Sequence, residues 1–157
     1  MAMKRLAIEF REILKDPNYF YSCAPKHDSM FLWDFSLIGP PDTMYSGGVF
    51  TGTISFPFEY PHKPPIVHFN NILHPNIFKT GRVCISILHE GSDAYGYEKD
   101  SERWSPSQSI NSILMSILLM LSEPNFDSPA NIDASTLWRN NIELYRETIY
   151  MIVAQSQ

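Results

Sequence analysis

The chain has 157 residues, 44% hydrophobic and 18% charged, the balance of one ordinary domain (1–157) with room for a real core. A net charge of −5 argues against nucleic acid as the main partner, because binding a phosphate backbone needs a basic face. Nowhere does an uncharged apolar run approach the roughly 20 residues that span a bilayer. The start, MAMKRLAIEFREILKD, lacks the apolar stretch of a secretory signal. Two cysteines, Cys23 and Cys84, allow at most one disulfide and fit free thiols in a reducing compartment.

In chain order, Met3, Leu6, Phe10, Ile13 and Leu14 fall on one stripe at 3.6 periodicity, which predicts a helix stopped by Asp16-Pro17-Asn18. Four stretches rich in aromatic and β-branched residues follow: Tyr19 to Cys23, Phe31 to Ile38, Val49 to Phe56 and Ile66 to Phe69. Proline- and glycine-containing turns separate them, so they predict an antiparallel meander of four strands. From Ser105 the texture changes. Ser105 reads as an N-cap, with Pro106 at the first helical position and Gln108 completing a capping box. The helix it opens, Ile110 to Leu121, is apolar on most sides and should be buried against the sheet. Two further helical pieces, near Ala134 to Arg139 and Ile142 to Val153, put Trp138, Ile142, Tyr145, Ile149 and Ile152 on one side. A helix, four strands and then helices make an α+β class, not a doubly wound sheet.

Between the last strand and the capped helix lie about 35 residues of little periodicity, and long irregular segments of this kind are usually functional. They hold His74-Pro75-Asn76, a turn at Lys79-Thr80-Gly81, and Cys84 inside the apolar Val83-Cys84-Ile85. By itself Cys84 could equally be a packed strand thiol. The segment ends in HEGSDAYGYEKDSE, where Glu90, Asp93, Glu98, Asp100 and Glu102 face Lys99 as the one basic residue. His62, His68 and His89 have no metal-ligand spacing with the cysteines, so no metal site and no cofactor is expected.

HPNIFKTGRVCISIL, His74 to Leu88, resembles the active-site segment of ubiquitin-conjugating enzymes, in which His-Pro-Asn lies shortly before the catalytic cysteine. Other pieces fall in the same family order: YSGGVF at Tyr45 to Phe50, FPFEYPHKPP at Phe56 to Pro65, WSP at Trp104 to Pro106, and EPN at Glu123 to Asn125. Together they cover nearly the whole chain. The acidic insertion between Cys84 and Trp104 is similar to that of the G-type branch.

The resemblance implies a UBC fold and a cysteine, Cys84, that takes ubiquitin's C-terminal acyl group from the activating enzyme as a thioester. The acyl group then passes to a lysine amine of a protein substrate, usually with a RING-type ligase. It further implies an ATP-dependent conjugation pathway, chain building for proteasomal and endoplasmic-reticulum-associated degradation, and a cytoplasmic protein that a partner can recruit to the reticulum's cytosolic face. Asn76 is the expected oxyanion donor, Pro75 stiffens the turn, and His74 hydrogen-bonds within it. Lys4 and Arg5 fall where the family meets the activating enzyme. The ligase-facing surface comprises the first helix, the Tyr60-to-Pro65 turn with His62 in place of a bulky hydrophobe, and Ser105-Pro106-Ser107. Ser86 and Ser128 stand where many relatives carry aspartates, which leaves the acidic loop as the source of charge near the incoming lysine.

The chemistry is consistent with that assignment. A free thiol has a pKa near 8.5, so about a few per cent is thiolate at neutral pH, and exchange between two thioesters needs only that thiolate. No separate base is required for loading. Aminolysis passes through an oxyanion that an amide N–H can stabilise. Nearby carboxylates favour a protonated lysine, so the loop is better suited to attracting and orienting the acceptor, or gating its access, than to freeing its amine. Two rivals stand beside this reading: a cysteine hydrolase using Cys84, His74 and Asn76, and a non-catalytic ubiquitin-binding module on the same scaffold.

Overall fold

A computed structural model describes residues 1–91, 95–96 and 99–157. Helix α1 spans Ala2–Lys15, and strands β1 (Tyr21–Lys26), β2 (Ser29–Ile38), β3 (Val49–Ser55) and β4 (Ile66–Phe69) follow it. Helices α2 (Ile110–Ser122), α3 (Ile132–Asn140) and α4 (Ile142–Ser156) complete the α+β order. The four strands form one antiparallel sheet in sequential order. Alternation on β2 explains its facing: Trp33, Phe35 and Leu37 are buried while Asp34 and Ile38 turn to solvent. Phe50 and Ile54 of β3 and Val67 and Phe69 of β4 extend the same buried face. Among the described residues, no helix is long and apolar enough to cross a membrane.

Against that face lies α2. Ile110, Ile113, Leu114, Ile117, Leu118 and Leu121 are all buried, as its apolar run predicts, while Met115 and Leu119 remain exposed. The start of the helix differs from the expectation. Ser109, not Ser105, is the N-cap: its hydroxyl accepts from the Ser112 N–H at 3.1 Å, and the Ser112 hydroxyl accepts from the Ser109 N–H at 2.8 Å. Residues 105–108 are instead a turn closed by the Gln108 N–H on the Ser105 carbonyl. Arg5 explains the delay, because its guanidinium takes the Pro106 and Gln108 carbonyls at 3.1 and 2.8 Å.

The stripe read in the sequence for α1 holds in part: Leu6 is buried and Phe10 and Ile13 pack against the core, while Met3 and Leu14 are exposed and Ala2 and Glu9 face inward. A carboxylate goes inside here because it is fully engaged. Glu9 Oε1 accepts the Ile110 N–H at 2.7 Å at the start of α2, and Oε2 takes the Tyr60 hydroxyl and Arg5 Nε. Position 9 thus works as a cap for a helix about a hundred residues later, which outweighs the apolar stripe.

Beyond β4 the chain makes the hairpin-like excursion that carries the site. Arg82 pairs with His68 and Val83 with Ile77, and the Val83 N–H reaches the Val67 carbonyl at 2.9 Å. Gly81 closes the turn at φ +98°, and a Cβ there would lie 2.2 Å from the Phe69 carbonyl oxygen. Only glycine fits that position.

Candidate active site

The wall before the cysteine is built from buried polar groups. His74 is fully buried; its Nδ1 accepts the Asn76 N–H at 2.9 Å, so Nε2 carries the proton and donates to the Met120 carbonyl at 2.9 Å. Burial holds its pKa down at about 4, and the ring is a neutral strut between the turn and the end of α2. Just ahead, the Leu73 carbonyl accepts the hydroxyls of Tyr45 and Tyr145 at 2.7 and 3.0 Å. Pro75, also buried, receives the Asn131 N–H on its carbonyl at 2.9 Å, which ties the turn to the start of α3.

Asn76 is 3% exposed and its amide is held at both ends. Nδ2 donates to the Asn125 carbonyl and Oδ1 accepts the Asn125 N–H, both at 2.8 Å. This reciprocal pair fixes the flip of the amide and locks it to the Glu123-Pro124-Asn125 segment. The Asn76 carbonyl, in turn, accepts the N–H of Cys84 at 2.9 Å. A single backbone bond therefore sets the cysteine beside the asparagine.

Cys84 is half-buried and opens on a cleft of ≈ 630 Å³ that Asn76, Ser86, Glu102, Asn125 and Ser128 share. The sulfur is thus not sealed in the sheet. Cys23 contrasts with it: that thiol packs against the core, and burial pushes its pKa up to about 12. The structure brings Ser86 and Ser128 together in the cleft, as it does Glu102 on its rim. Glu90 is exposed nearby, with its carbonyl accepting from Arg103 at 2.8 Å. Asp93 and Glu98 lie outside the described residues, and of Asp100 only its backbone place in a short 3₁₀ turn is described.

The residues expected to meet partners are not among those that line the cleft. Lys4, His62, Pro106 and Ser107 are exposed, and Ser105 is half-buried with its hydroxyl 2.7 Å from that of Ser107. Arg5 is engaged within the fold, on Glu9, two carbonyls and the face of Tyr60. Among the described residues, no group of three or more His, Cys, Asp or Glu side chains is placed to hold a metal ion.

One residue escaped the sequence reading as a site member. His89, weighed there only as a metal ligand, sets Nε2 3.6 Å from Cys84 Sγ. A 3₁₀ turn over Ser86–Leu88 carries the chain round, with the His89 N–H on the Ser86 carbonyl at 2.9 Å. The His89 carbonyl then accepts the Trp104 N–H at 2.9 Å, and the Trp104 indole donates to the Pro61 carbonyl. The usable signal was a histidine five places after the cysteine, which one tight turn folds back onto the sulfur.

Residues 5–153 match the family model described as ubiquitin-conjugating enzyme. The human protein named ubiquitin-conjugating enzyme E2 G2 is 44% identical over 158 residues, covering 99% of this chain and 96% of its own. A Caenorhabditis elegans protein named probable ubiquitin-conjugating enzyme E2 7 is 46% identical over 132 residues, 83% of this chain and 80% of its own. Ubiquitin-conjugating enzyme E2 14 of Arabidopsis thaliana is 43% identical over 152 residues, 95% and 91%. These likenesses fit the G-type branch, and with the cleft around Cys84 they lead to one conclusion: the chain belongs to the ubiquitin-conjugating enzyme family, whose members are ubiquitin transferases.

Proposed function

We propose that Cys84 carries ubiquitin's C-terminal acyl group as a thioester, received from the activating enzyme, and passes it to a lysine amine of a protein substrate. The observation that supports this most is the half-buried sulfur on an open cleft that the clamped amide of Asn76 also lines. An amide nitrogen carries two hydrogens. One lies on the Asn125 carbonyl; the other is the donor for the oxyanion that forms when the amine attacks. Because the amide is already immobilised, no reorganisation is needed at that moment.

A RING-type ligase holding enzyme and acceptor together belongs to the same reading, with His62 and the Ser105–Ser107 turn on the surface that meets it and Lys4 facing the activating enzyme. Chain building for degradation, in the cytoplasm or at the cytosolic face of the endoplasmic reticulum through a recruiting partner, is the cellular role it fits. The carboxylates of the acidic segment attract and orient the acceptor lysine. Glu102 on the cleft rim and exposed Glu90 support that reading among the described residues.

Incubation with activating enzyme, ATP and ubiquitin, followed by a non-reducing gel, tests it. The expected product is an adduct one ubiquitin heavier that collapses with thiol and is missing in Cys84→Ala. A hydrolase would instead turn over a ubiquitin ester with neither ATP nor activating enzyme, and no turnover above the Cys84→Ala background is expected.

A further inference from the structure

His89 is not needed to load the cysteine, yet its ring lies on the reacting sulfur. Its main chain is held on both sides, by Ser86 and by Trp104, so the fold fixes where the side chain starts. His74, the other histidine of the site, has both ring nitrogens engaged and burial keeps it from taking a proton. Of the described side chains reported to line the cleft, His89 is the only imidazole.

We infer that His89 is a catalytic residue of the transfer step, shuttling a proton from the acceptor amine to the departing sulfur. The inference rests on the thioester reading above. As the amine nitrogen attacks, the C–N bond forms and the carbonyl electron pair moves onto oxygen, facing Asn76. Neutral Nε2 takes the proton that the nitrogen must lose. The oxyanion collapses, the C–S bond breaks, and Nε2 returns the proton to Sγ. The product amide and the free thiol balance the reactants, and no further reagent enters. A shuttle suits this step because an adduct that still carries the extra proton on nitrogen readily expels the neutral amine and returns to the starting thioester. Taking that proton commits the adduct forward.

Among the described residues, the charged groups that share the cleft with His89 are Glu102 from the 100–102 turn and Glu123 at the end of α2, with Glu90 adjacent in the chain. Arg103 is the neighbouring cation, on the Glu90 and Gly91 carbonyls at 2.8 and 2.7 Å. Glu102→Gln and Glu123→Gln therefore serve as controls for a purely electrostatic effect.

The experiment preforms the Cys84–ubiquitin thioester, stops the activating enzyme by removing magnesium, and chases with free lysine. His89→Gln is expected to load at the wild-type rate and to discharge about 10²-fold more slowly, the usual weight of a positioned acid–base group. Glu102→Gln and Glu123→Gln should each slow discharge by no more than a few-fold. Added imidazole should restore discharge to His89→Ala and leave Asn76→Ala slow. Wild-type discharge in His89→Gln, equal slowing of loading and discharge, a defect as large in either glutamate control, or failure of imidazole to rescue would each overturn the inference. Failure of wild-type protein to form the thioester would instead sink the functional reading beneath it.

Discussion

Ahead of Cys84 in the chain, the cleft wall is buried and bonded in every direction: His74 to Met120, Pro75 to Asn131, Asn76 to Asn125, with two tyrosine hydroxyls behind. After Cys84 the described wall is open. Glu90, Lys99 and Glu102 are exposed, and Tyr95 is 84% exposed. The two walls need different things. Steadying an oxyanion requires a donor held to a fraction of an ångström, which demands burial and reciprocal hydrogen bonds. Drawing in a cationic lysine requires only charge of the right sign within about a Debye length, roughly 8 Å at physiological salt, and tolerates loose geometry.

The largest expected effect breaks the first wall. Asn76→Ala should slow discharge to lysine by about 10²–10³-fold while loading continues. Asn125→Ala sharpens the point, since residue 125 meets Asn76 through its backbone alone and discharge should stay close to wild type. A single-turnover chase of the thioester reads both.

A medium effect comes from His74. Its pKa is held at about 4 by burial, against 6.5 ordinarily, so between those values the unfolded chain binds a proton that the folded one does not. Stability should therefore fall as pH drops from 6.5 towards 4, by up to about 1.4 kcal/mol per pH unit, and this contribution should level off below 4. Urea midpoints across that window would show the slope, and His74→Gln should flatten it.

The smallest effect belongs to the second wall. Replacing Glu90 and Glu102 together with Gln should slow discharge only a few-fold, and added salt should erase the difference between variant and wild type. The Asn76→Ala defect should persist in salt. A salt-sensitive Asn76 defect, or a salt-resistant glutamate defect, would remove the distinction between the walls.

What could be read in advance follows the same division. The strands were legible because Trp33, Phe35 and Leu37 alternate with polar or exposed positions, and α2 because its apolar run has no soluble face. Cys84 and Asn76 were singled out by the order and spacing of motifs, Ser86 and Ser128 by the family resemblance, and all four line one cleft. The misreadings share one cause, a long-range polar contact that local pattern does not encode. Glu9 turns inward to reach Ile110 and Tyr60, which puts a carboxylate on the buried face of α1, and Arg5 holds the Pro106 and Gln108 carbonyls, which moves the start of α2 to Ser109. His89 was missed because its role depends on a 3₁₀ turn too short for any periodicity to announce.

The central claim is that the sulfur of residue 84 is the atom that bears the acyl group. Digesting the loaded protein at acid pH, where thioesters survive, and mapping the modified peptide by tandem mass spectrometry tests it directly. The expected result is the ubiquitin C-terminal remnant on Cys84 alone, released by thiol. A remnant on Cys23 or on a lysine, with the Cys84 peptide unmodified, would contradict it.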